Sequence, residues 1–409
     1  MKFLLIYPKW EKLDRQTSFT LPPHGPVVMA AALPEYVDVT FIDENVDPID
    51  FDAAVDFVGI SMMLTAQVKR GWEIADTFRA RGVKVICGGI ATMLHAEECG
   101  RHADSVFMGE AEGRMELVFE DLKQNRMQPV YDYMQNFPPI ENVGTARRSI
   151  LNRGMYNYRG VQMVDLVHAS RGCRFNCYPC AVRFLGGRSF RPRPYDRVIE
   201  ELASIDNNRL FIVDNSLAQD KNWEMGLFKE MIPLKKKWCS HPIEDDDQVL
   251  DLAAQAGAWF VYQAIFDSSD FIRDRIKRYH DYGIAVEGSI LLGLDYHTED
   301  YIKQWMDFLL EAQLDMAEFT ILTPFRHTRT FDDLHNAGRI FSYDWNDYTC
   351  GKVVFQPKLM TPEKLQEMYY YCWDRFYEEE PQNYKMFKLL KNVMEKEKRD
   401  GTFKPRVRS

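Results

Sequence analysis

Five short apolar runs are spaced along the first 125 residues: FLLIY at 3–7, VDVTFID at 37–43, VDFVGIS at 55–61, VKVICGG at 83–89 and SVFMGEA at 105–111. Helical stretches stand between them; Val68, Trp72, Ala75 and Phe78 recur on one face, and Gly82 ends that run. Near-continuous apolar strands need cover on both faces, which a crossover helix after each strand provides. The alternation therefore predicts a doubly wound, Rossmann-like α/β sheet over residues 1–125. In such sheets a ligand sits beyond the carboxyl ends of the strands. Those ends read Tyr7-Pro8-Lys9-Trp10, Ser61-Met62-Met63-Leu64-Thr65, Gly88-Gly89-Ile90-Ala91 and Gly109-Glu110-Ala111-Glu112. Glycines there either admit the backbone of a large flat ligand or simply close tight turns.

Residues 126–160, rich in Asn, Pro, Arg and Tyr, hold no period and read as a linker. Strand-like segments return near 164–169, 209–213, 236–240, 258–264, 284–291 and 316–322, with helical stretches at 194–206, 221–232, 246–256, 269–282 and 299–312. Six such units rather than eight predict a partial (β/α)6 barrel over residues 161–330. The remainder, 331–409, is aromatic-rich and reads as mainly helical. Most of Tyr369, Tyr370, Tyr371, Trp373, Phe376 and Tyr377 are expected in the core, and substrate contacts are expected in this same region.

With 46% hydrophobic and 27% charged residues, the chain has the makings of a core-forming protein. No apolar run approaches the ~20 residues of a membrane span, and Met1-Lys2 leads into a strand rather than a signal peptide, so a cytoplasmic protein is expected. The net charge of -10 argues against nucleic acid as a partner. The basic tail, including Lys385, Lys388, Lys391, Lys404, Arg406 and Arg408, reads as a solvated face.

Three of the eight cysteines fall within SRGCRFNCYPC, at 173, 177 and 180; the other five are scattered singly. A reducing compartment would keep them as thiols and leave the cluster free for metal. Three thiolates hold three irons of a cubane cluster and leave the fourth iron open to an exogenous ligand. Zinc, with Cys239 or His168 as fourth ligand, stays open on spacing alone. The motif follows the strand-like MVDLVHAS, so it stands at a strand's carboxyl end, where barrel enzymes place their chemistry.

Cys173-x3-Cys177-x2-Cys180 resembles the radical S-adenosylmethionine (SAM) motif. LPPHGPVVMAAAL, VGISMMLTAQVKRGWEIADTFRARGVKVICGG, ADSVFMGEAEG, SFRPRPYDRVIEEL, FIVDNS and HDYGIAVEGSILLGLDYHTED agree with it in order. Together they resemble the radical SAM enzymes that carry an N-terminal cobalamin-binding domain. The resemblance implies a 4Fe-4S cluster on Cys173, Cys177 and Cys180 that binds S-adenosyl-L-methionine and cleaves it to a 5'-deoxyadenosyl radical. It also implies a cobalamin that carries a methyl group to the substrate radical, and an external electron donor such as flavodoxin or ferredoxin. Cobalamin contacts then fall on Tyr7 to Trp10, Met62 to Thr65, Gly88, Gly89, Ile90 and Glu110; SAM contacts fall on Tyr178, Pro179, Asp214, Asn215, Gln263 and Gly293.

Three departures stand out. Pro179 takes the place of the usual aromatic before the last cysteine, with Tyr178 displaced by one; YQAIFDSS replaces a Gly-Phe-Glu-Ser-like segment; and no Asp-x-His-x-x-Gly occurs in residues 1–125, so base-off cobalamin without a His lower ligand is expected, the alternative being a domain that has lost cobalamin. Asp214 and Asn215 read equally as a turn or helix cap, and His24 as a solvated turn residue. The expected activity is C-methylation of an unactivated carbon of a small molecule, lipid, tetrapyrrole or peptide side chain. Radical cyclisation or rearrangement, and a non-catalytic iron-sulfur or zinc protein, are the alternatives.

Overall fold

The computed structural model describes residues 1–12, 15, 20–158 and 161–404, so Arg406 and Arg408 of the basic tail lie outside the described residues. The first unit runs β1 (Lys2–Tyr7), α1 (His24–Ala31), β2 (Asp38–Asp43), β3 (Phe57–Ser61), α2 (Val68–Ala80), β4 (Lys84–Gly88), α3 (Ile90–Leu94), α4 (Ala96–His102), β5 (Ser105–Met108), α5 (Met115–Lys123) and β6 (Val130–Asp132). Its strands form one sheet in the order β2-β1-β3-β4-β5-β6, parallel throughout. Helices cover both faces. Ile74, Ala75 and Phe78 of α2 pack with Ile6, Ile60 and Val85 on one side, and Met115, Val118 and Phe119 of α5 pack with Phe3 and Leu5 on the other. The sixth strand lies within the stretch expected as a linker, so the sheet continues past residue 125.

The second sheet follows: β7 (Asp165–Val167), α6 (Tyr195–Ser204), β8 (Arg209–Ile212), α7 (Lys221–Met231), β9 (Lys237–Ser240), α8 (Asp247–Ala256), β10 (Ala258–Ile265), α9 (Asp270–Asp281), β11 (Ala285–Leu292), α10 (Glu299–Glu311) and β12 (Met316–Ile321). Its strands stand in sequence order and all parallel, an open six-stranded barrel wall. Capping residues start α7, α8 and α10. Asp220 accepts from Trp223 N–H at 3.0 Å, and Thr298 from Tyr301 N–H at 3.1 Å. Strand side chains alternate: Leu210, Ile212, Val261, Val286, Ile290 and Phe319 join the outer core against the helices, while Phe211, Cys239 and Tyr262 face inward.

The chain ends with α11 (Pro362–Phe376) and α12 (Gln382–Arg399). Tyr369, Trp373 and Phe376 of α11 enter the barrel's outer core, in keeping with aromatic spacing on one helical face. Leu389 and Val393 of α12 plug the amino-terminal end of the barrel against Cys239, Trp259 and Met316. Arg209–Glu397 at 2.7 Å and Lys237–Asp400 at 2.6 Å fasten the plug. Before these helices, Trp345, Tyr348 and Val354 cross back into the core of the first sheet, and Trp345 Nε1 donates to Glu98 at 3.1 Å. The final region thus straps the two units together.

Candidate functional site

Strand ends of the two sheets face each other across a cavity of about 390 Å³. The first sheet contributes Ser61, Gly88, Gly89, Gly109 and Glu110; the second contributes His168, Ser170, Arg171, Asp214 and Asn215. The cavity also runs down the face of the first sheet, past Leu5, Gly59 and Ile86, between Val28 and Met29 of α1 and Met115 of α5. Two of the wall glycines are required by the backbone. Gly89 has φ +94°, and a β-carbon there would strike the Met62 carbonyl; Gly109 has φ +106°, and its β-carbon would lie 2.9 Å from the Tyr133 carbonyl carbon.

The cysteine loop leaves β7 and is braced by residues beyond β8. Asp214 accepts from Ala169 N–H at 2.8 Å and from the Ser170 hydroxyl, while Asn215 and Gln219 each donate to the Gly172 carbonyl at 3.3 Å. Gln219 also accepts from Arg174 N–H at 2.9 Å. Burial pushes the Asp214 carboxyl up to about 6 against those donors. Gly172, at φ +73°, admits no side chain, because a β-carbon would collide with the Ser189 carbonyl oxygen.

Cys177 and Cys180 are exposed and Cys173 is half-buried, whereas Cys87, Cys99, Cys239 and Cys372 are buried. Burial, and then the neighbouring Cys173 and Cys177 thiols, raise the Cys180 thiol, so the three sulfurs are neighbours electrostatically. No group of three His, Cys, Asp or Glu among the described residues is arranged to hold a single metal ion. The donor set suits a multi-iron cluster, in which each thiolate binds its own iron. Zinc closed by Cys239 or His168 finds no support, since Cys239 lies in the apolar base of the barrel and His168 is engaged elsewhere.

His168 stands in an array that joins the two units. Arg171 Nε donates to His168 Nε2 at 3.3 Å, and His168 Nδ1 lies 2.8 Å from His24 Nε2. A guanidinium only donates, so His168 accepts at Nε2, carries its proton on Nδ1 and donates a hydrogen bond from there to His24 Nε2. Both rings stay neutral: burial, and then nearby arginines, push His24 down to about 3 and His168 well below its usual value. Arg171 also grips Glu110 at 2.7 Å and Glu112 at 2.5 Å, and Arg191 closes on Glu110 from the other side. Burial opposes the Glu110 charge, but the Arg191 and Arg171 guanidiniums outweigh it and hold its carboxyl below the usual range.

Of the residues expected at a site, Gly88, Gly89, Ile90, Glu110, Asp214 and Asn215 line the cavity. Tyr7, Pro8, Lys9 and Trp10 do not; this turn is held toward β2 and α2, with the Pro8 carbonyl taking Gln67 Nε2 at 2.6 Å and Lys9 N–H donating to Glu44 at 3.1 Å. Met62 and Thr65 are buried beneath the loop after β3, and neither they nor Met63 and Leu64 reach the cavity wall. Tyr178 is 53% exposed and stands off the cavity with Pro179. Gln263 points to the helix layer, where Tyr279 donates to it at 3.5 Å; Gly293 gives its N–H to His297 at 3.2 Å and lies beneath Leu365. Sequence reasoning passed over Arg191, and it gave His24 and His168 no joint role, because no spacing rule links residues 144 positions apart.

This opposition of a doubly wound sheet and an open barrel is also seen in solved structures. The radical SAM methyltransferase TsrM from Kitasatospora setae, solved with cobalamin and a [4Fe-4S] cluster, shares the fold with a TM-score of 0.64 at 15% identity, over 82% of this chain and 78% of its own. No protein-family profile matches the sequence. The curated relatives are more specific. Bacteriochlorophyllide d C-12(1)-methyltransferase of Chlorobaculum tepidum is 26% identical over 90% of this chain and 85% of its own, and the C-8(2)-methyltransferase of the same organism is 25% identical over 83% and 82%. The chain thus shares the fold of a solved radical SAM methyltransferase and is similar in sequence to two bacteriochlorophyllide methyltransferases.

Proposed function

We propose that this enzyme methylates an unactivated carbon of a small-molecule substrate held between its two strand-end faces. The observation that carries the reading is the opposition itself: a three-thiol loop on one face and, on the other, a cavity that continues between sheet and helices. When bound, the cluster and SAM supply a 5'-deoxyadenosyl radical for hydrogen abstraction, and methylcobalamin supplies the methyl group.

Cys173, Cys177 and Cys180 hold the cluster, and Asp214, Asn215 and Gln219 fix the loop that carries them. Gly88, Gly89, Ile90 and Glu110, which line the cavity, would hold the cobalamin. The slot past Leu5, Gly59 and Met115 would give room to the nucleotide tail of a base-off cofactor. Neither cavity histidine serves as lower ligand, because the lone pair of each ring already accepts a hydrogen bond. Exposed Phe175, Cys177 and Tyr178 leave the cluster edge open to a flavodoxin or ferredoxin, in keeping with a reducing, cytoplasmic setting. The domains are drawn as 1–132, a connecting stretch to 160, the barrel to 330, and the strap and plug beyond.

The test needs no substrate. Anaerobically reconstituted with iron, sulfide and cobalamin, the enzyme is expected to cleave SAM reductively to 5'-deoxyadenosine, and methyl-labelled SAM is expected to label the cobalamin and release S-adenosylhomocysteine. Cleavage without labelled cobalamin would remove the methyl-transfer reading and leave the cyclising or rearranging one.

A further inference from the structure

Above the apolar base, polar side chains face inward on four adjacent barrel strands. They are His241 just past β9, Tyr262 on β10, Glu287 and Ser289 on β11, and Glu318 and Thr320 on β12. Ser289 is solvent-exposed although it sits mid-strand, paired with Ala264 on one side and Glu318 on the other. A residue in the middle of a six-stranded sheet is exposed only where the space above it is open, so the lumen is a chamber at that level.

His241 is oriented toward that chamber. Its Nδ1 donates to the Asp214 carbonyl at 2.6 Å, and its ring lies 5.4 Å from Phe211 and 5.7 Å from Tyr262, both of them lumen residues. The bond to a carbonyl fixes the proton on Nδ1 and leaves Nε2 as a lone-pair acceptor with no hydrogen-bond partner among the described residues. Burial pushes this imidazole down, so it stays neutral. One strand further, the Tyr262 hydroxyl reaches Glu287, which is 6% exposed. Burial and then the Glu318 charge push the Glu287 carboxyl up to about 8, and no cation acts on it. The basic side chains on the neighbouring strands, Arg209 and Lys237, are committed to Glu397 and Asp400 at the base.

We propose that this stripe recognises the substrate through a hydrogen-bond-donating group, an amine above all, which His241 and Glu287 accept inside the lumen while carboxylates and phosphates are turned away. This rests on the methyltransferase reading only for the identity of the molecule that carries the amine. Burial and a second acid alongside make Glu287 costly to ionise despite its bond from Tyr262; a ligand ammonium offsets that cost, whereas an anion adds to it.

The experiment uses the cluster-loaded enzyme and three probes of one shape: cyclohexylammonium, cyclohexanol and cyclohexanecarboxylate, with binding followed by ligand-observed NMR. The ammonium is expected to bind at least tenfold more tightly than the carboxylate, with the alcohol between. Glu287→Gln, which keeps the side-chain shape, and His241→Phe are each expected to weaken it at least fivefold while iron content and melting temperature hold. Equal affinities, no binding of the ammonium, or an unchanged affinity in Glu287→Gln would overturn the proposal. Binding is read without turnover, so an enzyme that takes the amine but never methylates cobalamin would sink the methyltransferase reading alone.

Discussion

At the scale of single residues, the cysteine spacing was legible because ligand geometry is local, whereas the partners that hold the loop were not. Replacing Cys173, Cys177 and Cys180 together by Ala should abolish bound iron and sulfide and SAM cleavage, while Cys239→Ala and Cys372→Ala should leave iron content unchanged, as both thiols are buried in apolar cores. Iron and sulfide analysis after reconstitution decides it, and full loading of the triple variant would refute the assignment. Gly172 makes a sharper test. A β-carbon there would strike the Ser189 carbonyl oxygen at a φ of +73°, so Gly172→Ala should cost ~1–3 kcal/mol locally and lower iron retention with all three thiols still present. Asp214 and Asn215 were legible as a strand end rich in polar groups, but whether they contact SAM or brace the loop depended on residues more than forty positions away. Both Asp214 oxygens are taken by Ala169 and Ser170, which favours the bracing role.

At the scale of elements, apolar runs and helical periods located every strand of the barrel, since each is four or more residues long except β7. Strand β6 escaped because Val130-Tyr131-Asp132 is too short to show a period and follows a proline. Helix α7 carries a cost that composition cannot reveal. Glu224 is fully buried against the segment before α8, and burial pushes its carboxyl up to about 8. A folded-state value above the unfolded one means that the folded chain holds a proton the unfolded chain releases. This contribution is therefore fully present below pH ~4.3, and stability falls as pH rises from there through about 8. Glu224→Gln removes the titration. The variant should melt higher than the parent at pH 8 and gain little at pH 4.5, as thermal unfolding across that range will show. A gain that does not depend on pH would mean that Glu224 is not the group responsible. The plug helix α12 makes a second element-scale case. Val393 is 1% exposed and seals the barrel base, so Val393→Ala should lower stability by ~1–3 kcal/mol in denaturant unfolding without altering iron content.

At the scale of the whole molecule, the sequence implied two sheets that open toward the same ligand space, yet nothing in it announced how they are locked. The lock is a run of ion pairs and hydrogen bonds that crosses the cavity wall: Arg191 to Glu110, Glu110 and Glu112 to Arg171, Arg171 to the neutral His168, and His168 to the neutral His24. Arg171 and Arg191 are 16% and 14% exposed, so removing their carboxylates would leave two guanidiniums buried and unpaired. Breaking a buried pair from one side costs ~3–5 kcal/mol, which is large against the marginal stability of a domain contact. The Trp345–Glu98 bond of the C-terminal strap and the Arg326–Glu98 bond from the loop after β12 lie elsewhere and would persist, so separation should be partial. Glu110→Ala/Glu112→Ala should therefore raise hydrogen exchange at the ends of β5 and β7 and in the cysteine loop, with the centres of β3 and β10 as protected as before. Cobalamin retention should fall in step, because Glu110 lines the cavity, while iron content should change less, since the loop keeps its braces to Asp214, Asn215 and Gln219. Unchanged exchange at both strand ends would show that the strap alone holds the two faces together.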